Sequence, residues 1–395
     1  MICKDCIPHP SLPTGERQRG ASLPPRRDNV ISVCKALGII LMVVGHSECP
    51  GALCAFIYEF HMPLFFITAG YFFSLRYLDD EAAFVKKRLK GLYVPFVKWS
   101  VVFLLLHNLM FDLGVMNEQY GNAGGGVTHP YTWHQIQQNL WNILTAMGGY
   151  DQFLNGAFWF FRGLLVASVG YLVVFKLYDL LARKVGRPEW RQVAIPLAVC
   201  ATALALGAWK TAEGLKVTTL VQGGTREITG LFFFGCGFLF RQLRHKYKVE
   251  WWSTLAFACV TLAFSHYAPS GMDWNAAFDK FAKLPLPAIC GFLMVYNVST
   301  WIDRRDGIVR RFLVFCGNNT LPVFVFHIIS FKLVSLLKIW YYGLDPRQIG
   351  CHMVIHDYAK DDLFWILYSV AGVGVPLVAT YIVRRMKEHT RSAIR

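Results

Sequence analysis

VISVCKALGIILMVVGHSECPGALCAFIYEFHMPLFFITAGYFFSL, residues Val30–Leu75, decides the fold. Two apolar runs flank a short polar link, Ser47-Glu48-Cys49-Pro50-Gly51. Runs of this length suit hydrocarbon. Yet Lys35, His46, Glu59 and His61 lie inside the stretch. Ionisable groups are costly in lipid, so they face a bundle interior and mark a functional path. The hairpin is expected to carry the chemistry.

The rest of the chain is built the same way. Its 395 residues are 54% hydrophobic and only 16% charged, against roughly 25% charged in a soluble domain. Apolar segments occupy 30–46, 56–75, 92–111, 157–178, 193–209, 226–241, 251–267, 284–302, 312–337 and 363–383. Only helices and closed barrels satisfy their backbone in lipid, and the alternation of barrel strands is absent. The fold class is therefore all-α: a polytopic membrane helix bundle of about ten transmembrane helices.

The net charge of +15 does not form a nucleic-acid footprint. Lys and Arg crowd alternate loops, such as Lys86-Lys87-Arg88 with Lys90, Arg183-Lys184, Arg304-Arg305 and Arg384-Arg385. The intervening loops hold only Lys210, Lys216, Lys280, Lys283, Lys338, Arg347 and Lys360. This is the positive-inside pattern, and it places both termini in the cytoplasm. Residues 1–28 read as a disordered basic tail, 29–384 as the membrane domain and 385–395 as a second cytoplasmic tail. Residues 1–29 lack the apolar core of a cleaved signal. The loop 112–156 contains no Lys or Arg. It is expected outside, flexible at Gly124-Gly125-Gly126, with a short helix at the interface up to Met147.

The eleven cysteines are scattered, many inside apolar runs where Cys packs as a small hydrophobe. Cys3 and Cys6 with His9 make half a metal site, but no second pair follows, and no metal is expected.

Topology gives the polar groups a depth. Lys35 falls near the inner end of segment one, with Lys98 and Arg88 close to that level. His46, Glu59, His61, Trp159, Arg162, Arg226 and Glu227 fall towards the outer face. His327 is about 15 residues up segment nine, roughly 22 Å. Inner cations can hold a phosphate-bearing donor. An outer histidine can take a proton from an acceptor hydroxyl, and a neighbouring carboxylate can orient it. Each residue also has a plainer reading. His46 at a helix end can be an interface hydrogen-bonder, His61 can satisfy backbone groups freed by Pro63, and Arg162 and Arg226 can anchor helix ends.

The segment Lys35 to His46, a basic residue followed by ten residues and a histidine, resembles the integral-membrane O-acyltransferases of acyltransferase family three. Phe60-His61-Met62-Pro63, Lys87-Arg88-Leu89-Lys90-Gly91, Phe158-Trp159-Phe160 and Gly317-Asn318-Asn319-Thr320-Leu321 through His327 match further motifs in order. The likeness is greatest to the fucose 4-O-acetylase-like branch and covers about residues 29–384. Ser32 stands where many relatives are acidic, Ala36 where Gly is usual and Ala69 where Ser is usual.

The resemblance implies transfer of an acyl group, most often acetyl from acetyl-CoA, to a hydroxyl of a surface glycan or glycolipid. The expected location is the inner cell membrane. His46, with Glu59 and His61, becomes the catalytic expectation. Trp159, Arg162, Arg226 and His327 are expected to bind the acceptor, and Lys35, Arg88 and Lys98 the acyl-CoA donor. Expected partners are that donor, the glycan acceptor and the lipid bilayer, with no nucleic acid and homo-oligomerisation left open. A glycan or lipid transporter also fits intramembrane charges, although the internal repeats of such proteins are not evident. The same enzyme class with another acyl group, such as succinyl, is a further alternative.

Overall fold

A computed structural model describes residues 28–123, 127–217, 224–356 and 362–393. Cys3, Cys6, His9 and Gly124–Gly126 lie outside these residues. Among the described residues the chain is helical, with no strand. The first hairpin gives α1 (Asn29–Gly45), α2 (Gly51–Tyr58) and α3 (His61–Tyr71). Then α4 (Glu81–Arg88) passes through a π-helical turn, Leu89–Tyr93, into α5 (Val94–Asp112). Short α6 (Glu118–Gly121), α7 (Trp133–Ala146) and α8 (Gln152–Asn155) precede α9 (Trp159–Lys184). The second half holds α10 (Ala194–Ala212), α11 (Thr225–Leu243), α12 (Trp251–Tyr267), α13 (Phe278–Lys283) and α14 (Pro285–Arg304). The chain closes with α15 (Ile308–Gly317), α16 (Thr320–Tyr342) and α17 (Phe364–Ala393).

Each apolar segment is largely helical. Among the described residues, seven helical stretches are long and apolar enough to cross a membrane: Gly51–Tyr71, Glu81–Asp112, Gln152–Lys184, Ala194–Ala212, Phe278–Arg304, Thr320–Tyr342 and Phe364–Thr390. The expectation of ten adds three helices that miss on length or polarity. α1 and α12 have 17 residues each, and α11 carries Arg226, Glu227 and Arg241.

The hairpin's central place has a packing basis. Val30, Ile31 and Cys34 of α1 join a core shared with α3, α9, α10, α11 and α14. Val33, Ala36, Ile39, Met42 and Val43 join a second core shared with α5, α9, α16 and α17. One helix thus serves two halves of the bundle. Asp28 caps it, accepting from the Ile31 amide at 3.3 Å, which satisfies a donor otherwise orphaned at the helix start. Across the first core, glycines let backbones meet. A Cβ on Gly70 would lie 1.8 Å from the Phe234 carbonyl oxygen, and one on Gly237 would lie 1.9 Å from that of Ile67. This is the small-residue contact typical of membrane helix pairs.

Several expectations need correction. Segment two is two helices broken at Glu59–Phe60, and segment nine is broken at Asn318–Asn319. At the second break Gly317 sits on α1, where a Cβ would lie 1.7 Å from the Ser32 carbonyl oxygen. His327 is therefore seven residues past the start of α16, rather than 15 up one long helix. The expected short helix is α7, which packs on α5. Asn108 Nδ2 donates to the Tyr131 carbonyl at 2.8 Å and Tyr93 Oη to the Leu144 carbonyl at 2.6 Å, so α7 runs antiparallel along α5. Lys210 and Lys338 are buried helix residues, bonded to Thr225 Oγ1 at 2.8 Å and Asp362 at 2.7 Å. α17 continues as helix through the expected tail to Ala393.

Candidate active site

Helix α1 ends at Gly45, and His46 follows in a turn, its amide donating to the Val43 carbonyl at 3.1 Å. Its Nδ1 lies 3.0 Å from His327 Nε2 on α16, and the two rings stack with centroids 5.2 Å apart. The far nitrogen of His327, Nδ1, is 2.9 Å from the Phe324 carbonyl and 3.1 Å from that of Val323. Carbonyls only accept, so neutral His327 carries its proton on Nδ1 and its Nε2 accepts. His46 must then donate from Nδ1. That leaves the lone pair of His46 on Nε2, fixed by a relay that ends in helix backbone.

His46 lines two cavities. One of about 440 Å³ is also bounded by Gln152, Phe153, Ala157, Trp159, His352 and Met353. The other, about 190 Å³, is bounded by Tyr58, His61, Met62, Trp159, Arg226 and Asp273, among others. Met42 and Met62 separate it from a third, mostly apolar cavity of about 190 Å³ that reaches Ile39, Gly91, Leu92 and Thr320. The three follow α1 from Ile39 to His46.

The remaining expected residues divide. His61 Nδ1 donates to the Ile57 carbonyl at 2.9 Å, filling the gap where the helix breaks, and its ring meets Tyr58 edge-on. Its Nε2 is left as an acceptor beside the smaller cavity, so the backbone and cavity readings of His61 both describe it. Trp159 borders both cavities on His46, and the Arg226 guanidinium stacks 4.0 Å over its ring. Arg226 Nε also donates to the Met272 carbonyl at 2.8 Å. Arg162 is buried one layer behind, 3.6 Å from Glu227 and 3.5 Å from the Met147 carbonyl.

Glu59 is not brought to either histidine. Its two carboxylate oxygens accept from the amide and the hydroxyl of Ser270, each at 2.8 Å. It holds the turn that presents Met272 and Asp273 to the smaller cavity, which makes it a positioning residue. The three expected donor-binding cations are not gathered in one of these cavities. Lys98 lies over Trp99 at 4.5 Å, and Arg88 lies over Phe84 and Phe234 at 4.9 and 5.3 Å. Lys35 is half-buried on α1.

Sequence reasoning overlooked His352, Gln152, Tyr58 and Asp273. His352 stands in the loop after α16. Burial, with His356 and Lys332 nearby, pushes its pKa down to about 4. Lys332, buried on α16, fixes that loop by donating to the carbonyls of Ile349 and Cys351 at 2.8 and 2.6 Å. Among the described residues no cluster of His, Cys, Asp and Glu suits a metal ion.

An all-helical membrane bundle with an oriented histidine between cavities is the architecture of a multi-pass membrane enzyme. The profile of the acyltransferase domain matches residues 28–385, nearly the whole chain, and the protein belongs to that family of membrane acyltransferases. No curated protein and no solved structure matches it.

Proposed function

We propose that this protein transfers an acetyl group from acetyl-CoA to a hydroxyl of a surface glycan or lipid-linked saccharide, with His46 as general base. The observation that carries the reading is the His46–His327 hydrogen bond, which leaves His46 Nε2 unprotonated beside the cavities. An acceptor hydroxyl within reach of Nε2 gives up its proton as its oxygen attacks the thioester carbonyl. The resulting imidazolium can return that proton to the departing thiolate. His327 acts as the triad's third member does, holding the ring and its tautomer.

The chain of cavities along α1 supports a donor path, in which the apolar chamber near Gly91 takes the thioester arm. Arg88, Lys35 and Lys98 are proposed to meet the donor's phosphates, as Arg and Lys commonly do. The 440 Å³ chamber, with Trp159, Gln152 and His352 on its wall, suits the ring and hydroxyls of a sugar. Lys and Arg are concentrated in alternate loops, which supports a cytoplasmic donor side and an inner-membrane location.

The test is purified protein in lipid nanodiscs given labelled acetyl-CoA and candidate saccharides, beside cellular glycan O-acetylation in a His46→Ala strain. Label on the acceptor with wild type and none with stably inserted His46→Ala is expected. Unchanged acetylation by His46→Ala would overturn the role of His46. A label taken only from another acyl-CoA would overturn the choice of acetyl.

A further inference from the structure

We propose that the groove between α5, α16 and α17 holds one acyl chain of an anionic phospholipid from the cytoplasmic leaflet. The groove has a volume of about 590 Å³ and is lined by Trp99 of α5, Phe326 and Ile329 of α16, and Val375, Ala379 and Val383 of α17, among others. It shares no lining residue with the three chambers along α1. The Trp99 and Phe326 rings meet edge-on at 4.8 Å, which joins its α5 and α16 sides. Its two hydroxyls are already engaged. Ser330 Oγ donates to the Phe326 carbonyl at 2.8 Å, and Thr380 Oγ1 to the Pro376 carbonyl at 2.7 Å. Each directs its hydrogen into its own helix, so the wall suits hydrocarbon better than a polar ligand.

Both ends are defined. Beyond Val375, α17 is pressed on α16, where a Cβ on Gly372 would lie 2.5 Å from the Phe331 ring. At the other end Arg384 bonds Asn319, the residue before α16. Arg384 and Lys387 line this end, and among the described residues no acidic side chain lines the groove. The Lys and Arg asymmetry reads this end as cytoplasmic.

Length and charge select the occupant. From Val375 to Lys387 α17 rises about 18 Å, at 1.5 Å per residue. Half of a bilayer's hydrocarbon core is about 15 Å. The groove is thus one leaflet deep, apolar along its length and cationic at the level of the headgroups. Basic pockets between membrane helices on the cytoplasmic side hold anionic headgroups. A zwitterionic lipid supplies the same chain but no net charge to meet Arg384 and Lys387.

The test places the full chain in nanodiscs with traces of phosphatidylglycerol or phosphatidylcholine carrying the same photoactivatable acyl chain. Mass spectrometry of the digest locates the label. Labelling of residues 326–330 and 375–383 is expected, stronger with phosphatidylglycerol and competed by its unlabelled form. Lys387→Gln should cut that preference about fivefold, the factor for about 1 kcal/mol per basic residue at 1.36 kcal/mol per tenfold. Ala379→Trp should fill the groove and abolish its labelling, while label on the exposed apolar Leu105 and Val173 persists. Equal labelling by the two lipids, or groove labelling that survives Ala379→Trp, would overturn the proposal. Displacement of the label by palmitoyl-CoA and not by phosphatidylglycerol would assign the groove to an acyl donor and overturn it. An unlabelled groove, with a cross-linked dimer formed through Ala379→Cys, would assign it to a second copy and overturn it. The comparison of the two lipids on the wild type stands alone if a variant does not insert.

Discussion

Replacing His327 with alanine removes the acceptor that sets the tautomer of His46. The distance is 3.0 Å and the bond is part-buried, so no bulk water replaces it freely. A buried donor left without a partner costs about 1–3 kcal/mol. If that loss falls on the catalytically competent ring, the rate drops about 5- to 150-fold, at 1.36 kcal/mol per tenfold. The alternative tautomer escapes the cost but places the proton on Nε2, where no base remains. Either route lowers kcat and leaves donor KM little changed. His46→Ala removes the proposed base and should cost about 10²–10⁴-fold. The assay is acetyl transfer in nanodiscs by His327→Ala, His327→Gln, His46→Ala and the double variant. Glutamine offers an amide oxygen as acceptor and should recover part of the rate. Residues acting as one unit are non-additive, so the double variant should be no slower than His46→Ala. Additive losses, or full activity in His327→Ala, would refute the relay.

Four further outcomes follow from other contacts. Glu59→Gln should keep kcat within a few-fold because its amide can still pair with both groups of Ser270, whereas Glu59→Leu strands a buried amide and hydroxyl and should lower thermal stability, by about 1–3 kcal/mol; differential scanning fluorimetry distinguishes them. Gly237→Ala should destabilise by about 1–3 kcal/mol through overpacking, since its Cβ would fall 1.9 Å from the Ile67 carbonyl oxygen; a detergent melting curve checks it. Trp159→Leu should raise acceptor KM more than donor KM, because it strips the wall shared by the two cavities on His46; steady-state kinetics with each substrate varied reads this directly. His352, held down to about 4 by burial, binds a proton more readily when unfolded. Its contribution is fully present above about pH 6.5 and is lost as pH falls through 4. His352→Gln should therefore flatten the decline of melting temperature over that window.

The helices were readable because apolar runs in lipid leave the backbone no other choice. Their breaks were harder. Asn318-Asn319 is a plain turn signal, but a run that is apolar on both sides outweighs it until Gly317 is seen pressed on Ser32. That His46 and His327 are candidates was legible from charge in an apolar setting, while their contact spans 281 positions and needs the fold. Glu59 misled for the same reason: a buried carboxylate beside a histidine in sequence is satisfied by Ser270, 211 positions away. His352 carried no signal, because a histidine in a polar loop looks solvated. Lys210 and Lys338 were assigned to loops because charge was taken to mean water, yet each has a buried partner.

The base of α16 has a mechanical meaning. Ser32 Oγ donates to Asn318 Oδ1 at 3.3 Å, and Arg384 of α17 bonds Asn319. At the opposite end, His46 meets His327, and Ser47 meets Ser369 of α17 at 2.9 Å. α1, α16 and α17 are thus braced by rungs at top and bottom, like a ladder that cannot shear. Opening the chambers by sliding these three past one another would break both sets of rungs together. The facing wall, formed by Trp159, Arg226 and the Met272 turn, is held differently: Arg226 Nε donates to the Met272 carbonyl, and Glu59, at the break between α2 and α3, accepts from Ser270. A change in the spacing of the two histidines would therefore have to break those rungs, whereas a shift of the facing turn would act through Glu59 and Arg226.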